Sequence, residues 1–109
     1  MKNNKLLLGK GKESKIINNH DIIYCESKSN HTFFRLTTEK EKVCYTKPLK
    51  TVEALLPKGT FFRCHKSYIV NINHIDSFNI NIDEQMVQLK NQETIKLSKI
   101  LARNFSKSL

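Results

Sequence analysis

Apolar positions along this chain recur mostly at every second residue, the period of a strand, and change to helical spacing in one clear place. Leu6-Leu7-Leu8 and residues 14–17 predict two short strands around Gly9 and Gly11. After the turn-prone cluster Asn18-Asn19-His20-Asp21, residues 22–25 form an unbroken apolar run and predict a buried strand. Residues 26–31 are polar throughout and predict a loop. Residues 32–37 are β-branched and aromatic, and residues 42–46 repeat that character across Thr38-Glu39-Lys40-Glu41, which predicts a hairpin. The pattern resumes over residues 61–65 and 68–72, with a turn at Asn73-His74. Beyond Ser77 the alternation is cleaner: Phe78, Ile80 and Ile82, then Val87 and Leu89, then Ile95 and Leu97 predict an antiparallel meander with one buried face.

The helical segment carries Leu49, Val52, Leu55 and Leu56, with Thr46 as its cap, Pro48 in its first turn, and Pro57 and Gly59 as its stop. That stripe predicts core packing. A second short helix is expected after Ser98, with Leu101 and Phe105 on one side. The fold class is therefore mainly β, with antiparallel sheets and two short helices, in a single domain spanning residues 1–109. Residues 1–14 are expected to be a flexible or partly ordered N-terminal segment.

Charge adds a partner class. Nineteen Lys and Arg against ten Asp and Glu give a formal net charge of +9, which favours polyanions. No apolar run approaches the ~18 residues of a membrane span, and Leu6-Leu7-Leu8 is too short for a signal-peptide core, so a cytoplasmic protein is expected. Cys25, Cys44 and Cys64 show no zinc or disulfide-scaffold spacing and are expected to be reduced, mostly buried thiols. No paired carboxylates, metal-ligand spacing, Gly-rich phosphate loop or nucleophile with its base can be named, so neither catalysis nor a cofactor is expected.

The stretch from Phe61 to Ile75 breaks its own apolar alternation with Arg63, His65, Lys66, Ser67 and Asn71, donors that suit phosphates and base edges. Arg63 is expected to pair with Glu26 or Glu53. His65 is expected to be partly buried, holding a neighbouring acceptor and supporting the loop at Lys66, while Asn71 fixes a turn. Cys64 and His65 are neighbours in a strand and point to opposite faces, which excludes a thiol–imidazole pair. Three polar junctions then stand out: residues 28–31, residues 63–67, and Ser98-Lys99.

This stretch resembles the signature of the LytTR DNA-binding domains, Phe-x-Arg-x-His-Arg/Lys-Ser-Tyr-x-Val-Asn followed by Ile, and fills every named position. The likeness extends to residues 21–26, 49–53 and 95–99. It implies an elongated β structure that places loop side chains in two successive major grooves of double-stranded DNA and touches the minor groove between them. By that resemblance His31 and Lys99 read bases in the two major grooves, and Lys66 reaches toward the groove between. Lys28, Ser29, Lys47, Ser67 and Ser98 match or flank phosphate-contacting positions. Many members carry Arg where this chain has Lys66 and Lys99, and Lys lacks the planar fork that grips guanine twice. The resemblance further implies bacterial transcription regulation as a response-regulator output domain, promoter direct repeats bound by two copies side by side, and a receiver domain absent from this chain. A fragment of a longer protein is expected, since a charge of +9 without a sensing element leaves nothing to switch. The alternative is a β-rich RNA or single-strand binder using Phe33, Phe34, Phe61, Phe62 and Tyr68 as stacking platforms, although paired aromatics in strands place one ring on each face.

Overall fold

The computed structural model describes residues 4–8, 14–80 and 84–98. Within them lie ten strands: β1 Lys5–Leu8, β2 Lys15–Asn18, β3 Ile22–Lys28, β4 His31–Leu36, β5 Val43–Tyr45, β6 Phe61–His65, β7 Tyr68–Asn71, β8 Ile75–Ile80, β9 Gln85–Leu89 and β10 Thr94–Lys96. One helix, α1 Leu49–Leu55, and two single 3-10 turns, Asn19–Asp21 and Ile72–His74, complete the described elements. All pairings are antiparallel, as the alternation predicts. They build a β1-β2 hairpin, a central five-stranded sheet ordered β5-β4-β3-β7-β6, and a small sheet ordered β10-β9-β8. The molecule is elongated, with extents of 48 × 32 × 24 Å.

The central sheet is buried on both faces. On one side α1 and the β1-β2 hairpin cover Ile22, Cys25, Phe34, Leu36, Phe61 and Ile69, contributing Leu49, Val52, Leu6, Leu8 and Ile17. On the other side the small sheet brings Val87, Leu89 and Ile95 onto Ile23, Tyr24, Cys64 and Val70. This explains the unbroken run in β3, whose residues must be apolar whichever way they point. A bulge between Ile22 and Tyr24 turns Ile23 and Tyr24 to the same cluster, while Ile22 and Cys25 serve the other.

Three expectations are corrected. Residues 26–31 are not a loop: β3 runs to Lys28 and β4 starts at His31, and because these residues are half-buried or exposed and join neither apolar cluster, their strand carries no apolar alternation. Thr46 does not cap α1. Its N-cap is Pro48, with no side-chain cap bond. Leu55 lies outside the core at 53% exposed, since Leu49, Val52 and Leu56 already fill the face that meets the sheet. The second helix expected after Ser98 falls outside the described residues.

Candidate nucleic-acid interface

The β3-β4 hairpin pairs Lys28 with His31 and closes through Ser29 and Asn30, at φ 53° and 62°. Two successive residues in the left-handed region make the tight turn whose twist matches that of the strands, usually filled by Asn-Gly. Ser at its first position carries local strain. Lys28 and Ser29 are exposed there, and His31 is half-buried as the first residue of β4. The His31 Nδ1 atom is buried with no hydrogen-bond partner.

The β6-β7 turn presents exposed Lys66 and half-buried Ser67. Arg63 holds it from beneath: Nη1 bonds Glu53 Oε1 at 2.7 Å, Nε donates to the His65 carbonyl at 3.2 Å, and Nη2 donates to the Lys66 carbonyl at 2.6 Å. Of the two carboxylates expected for Arg63, Glu53 is the partner, and Glu26 instead binds Lys42 at 2.8 Å and accepts from the Tyr68 hydroxyl at 3.2 Å. His65 supports the turn with the opposite polarity to that expected, since its Nδ1 accepts from Ser67 N–H at 3.1 Å. Burial foremost, then the cations Lys96, Lys66 and Arg63, hold this imidazole below the usual histidine range, which keeps that acceptor available. The Cys64 thiol is within reach of the Tyr68 and Lys96 carbonyls at 3.8 and 3.6 Å, not of the imidazole's bond, and burial foremost raises it to about 12. Asn71 is fully buried and fixes the following turn, accepting from Asn73 N–H and donating to the Ile22 carbonyl, both at 2.9 Å.

Long-range backbone bonds bring these pieces to one end of the central sheet. Ser27 N–H donates to Ser67 O at 2.8 Å, setting the Lys28–His31 turn beside the Lys66–Ser67 turn. The Thr32 hydroxyl donates to Lys47 O at 2.9 Å, which places the β5-α1 connection and exposed Lys47 at that same end. Ser98 N–H donates to Cys64 O at 2.8 Å, so the residues that follow β10 lie against β6. Lys96 sits close enough to act on His65, a cation that the sequence reading did not select because only non-local strand packing brings it there. Among the described residues no carboxylate pairs with Lys28, Lys47, Lys66 or Lys96, so this end is cationic. Lys99 lies outside the described residues.

The sequence profile of the LytTr DNA-binding domain matches residues 12–109. The chain belongs to the LytTR family. This LytTR domain also superposes on a solved LytTr DNA-binding domain from Bacillus cereus with a TM-score of 0.80, 27% identity, and coverage of 97% of this chain and 96% of that one. It is 30% identical over 76 residues to the transcriptional regulatory protein NatR of Bacillus subtilis, covering 70% of this chain and 32% of NatR. It is 40% identical over 58 residues to the transcriptional regulatory protein YpdB of Escherichia coli, covering 51% of this chain and 22% of YpdB. The matches thus span a third or less of those curated relatives. LytTR domains are DNA-binding modules of transcriptional regulators and not a catalytic family. No helix among the described residues is long and apolar enough to cross a membrane.

Proposed function

We propose that this LytTR domain binds double-stranded DNA sequence-specifically through the lysine-rich end of its central sheet, as the output domain of a bacterial response regulator. The carrying observation is that hydrogen bonds between distant strands gather Lys28, Ser29, His31, Lys47, Lys66, Ser67 and Ser98 at one end. His31 enters one major groove and Lys99 the next, Lys66 approaches the minor groove between, and Lys28, Ser29, Lys47, Ser67 and Ser98 meet phosphates. His31 offers the second nitrogen of its ring, Nε2, to the base edges of the major groove. Two copies on promoter direct repeats, and control by a receiver domain elsewhere in the polypeptide, complete the reading.

The single-strand alternative is disfavoured by the fate of its aromatics. Phe34 and Phe61 are buried and Phe62 and Tyr68 pack on the second cluster, leaving Phe33 alone among the five named rings outside both clusters. Selection of bound duplexes from a random pool tests the proposal. An enriched pair of spaced elements is the expected result, whereas preference for single strands in direct competition would overturn it.

A further inference from the structure

Glu93, in the turn between β9 and β10, is a point at which charged and polar side chains fasten the small sheet to the central sheet. Its Oε1 accepts from Arg35 Nε at 2.9 Å and its Oε2 from the Tyr24 hydroxyl at 3.0 Å. Asn91 steadies the carboxylate from within the turn, donating to Oε1 at 2.6 Å and accepting from Glu93 N–H at 3.0 Å. Arg35 is itself held, since Nη1 donates to the Lys40 carbonyl at 2.7 Å. Burial alone would raise this carboxyl, yet the bonds from Asn91, Tyr24 and Arg35 prevail and it lies below the usual range.

Other polar contacts lie along β6, where the Cys64 thiol reaches Lys96 O at 3.6 Å and Ser98 N–H bonds Cys64 O at 2.8 Å, while the body of the seam is made of apolar side-chain contacts. Such contacts resist separation but are non-directional, so they set sliding and rotation of one sheet on the other weakly. The Glu93 contacts are directional, and they join the two elements that lead to the proposed base-reading segments. From Arg35, β4 runs back to His31, four residues or roughly 13 Å at strand rise. From Glu93 the chain runs forward through β10 (Thr94–Lys96) and on to Ser98, five residues along. The far end of that second arm is tied by the Ser98 N–H bond to Cys64 O at 2.8 Å. The two arms therefore share a polar joint at Glu93 and a backbone tie at Ser98, and the joint fixes how the small sheet is turned on the central sheet.

We propose that Glu93, with Arg35 and Tyr24, is a positioning residue that sets the separation between the His31 hairpin and the Ser98 segment, and thereby the base-pair spacing of the two DNA elements this domain accepts. The inference rests on the groove reading above. Its test is a selection in which two randomised blocks are separated by a variable number of base pairs, run on the parent chain, on Glu93→Gln and on Arg35→Lys. Gln retains hydrogen bonding without the charge, and Lys retains the charge without the Nε geometry. Both variants are expected to enrich the parental bases within each block, while the preference for the best spacing over spacings one base pair longer or shorter falls by about tenfold, the scale of one mismatched pair. Equal loss of affinity at every spacing would reduce Glu93 to a stability role and overturn the inference. Parental sharpness retained in both variants overturns the inference alone. A parent chain that enriches no paired blocks overturns the groove reading as well.

Discussion

At the scale of single residues, the Lys66 turn separates contact from support. Lys66 points into solvent with no carboxylate beside it among the described residues, whereas Arg63 and His65 spend their hydrogen-bonding capacity on the turn's own backbone. In the minor groove proposed for it, Lys66 meets a degenerate base edge without the planar fork that reads it, close to the phosphates of both strands. Lys66→Ala is therefore expected to weaken binding to specific and scrambled duplexes nearly alike. The slope of log affinity against log salt should shrink by about 0.9, the release from one phosphate, as read by fluorescence anisotropy across a salt series. His65 predicts a pH dependence of different origin. Its folded value is depressed, so the unfolded chain takes up a proton more readily below about 6.5. Its contribution is intact above that pH and is lost as pH falls, until the folded imidazole also protonates and Nδ1 can no longer accept from Ser67. Urea unfolding at pH 7.5 and 5.5 should show a larger stability drop in the parent than in His65→Gln, and equal drops would refute this assignment.

At the scale of elements, the β3-β4 hairpin carries strain where it is proposed to touch DNA. Ser29 and Asn30 both adopt positive φ, and an Asn-Gly pair would suit that turn better. The double replacement Ser29→Asn with Asn30→Gly should raise unfolding free energy by about 1 kcal/mol while lowering DNA affinity through loss of the Ser29 hydroxyl. A denaturation curve and a titration on the same sample check both halves. This hairpin also marks where sequence reasoning stops. Strands that meet a covering layer announce themselves, as Phe34 and Leu36 do in β4 and Val87 and Leu89 in β9. Residues 26–31 join neither apolar cluster, so their polar character resembles a loop although β3 and β4 continue through them. The site was legible in the same partial way. The turn at Lys66 and Ser67 is written in neighbouring residues. Its meeting with Ser27, Ser98 and Lys96, and the joint at Glu93, depend on pairings between segments tens of residues apart, which local pattern does not encode.

At the scale of the whole molecule, the two apolar clusters are not independent, because each uses one face of the same central sheet. Neighbouring residues of β3 divide between the two: Ile22 and Cys25 pack under α1, and Ile23 and Tyr24, at the bulge, pack under the small sheet. Losing either cover would expose apolar residues on strands that the other cover needs, so the domain is expected to unfold as one unit. Val52 on α1 and Val87 on β9 are both fully buried and sit in opposite clusters. Val52→Ala and Val87→Ala should each cost about 2 kcal/mol through lost burial and a residual cavity. In each variant the urea transitions followed by far-UV circular dichroism and by tyrosine fluorescence should coincide. An early, separate transition in Val87→Ala would mean that the small sheet melts alone. It would also release the Ser98 segment while the His31 and Lys66 turns stayed folded, and binding would then lose one element of its spaced pair before the other.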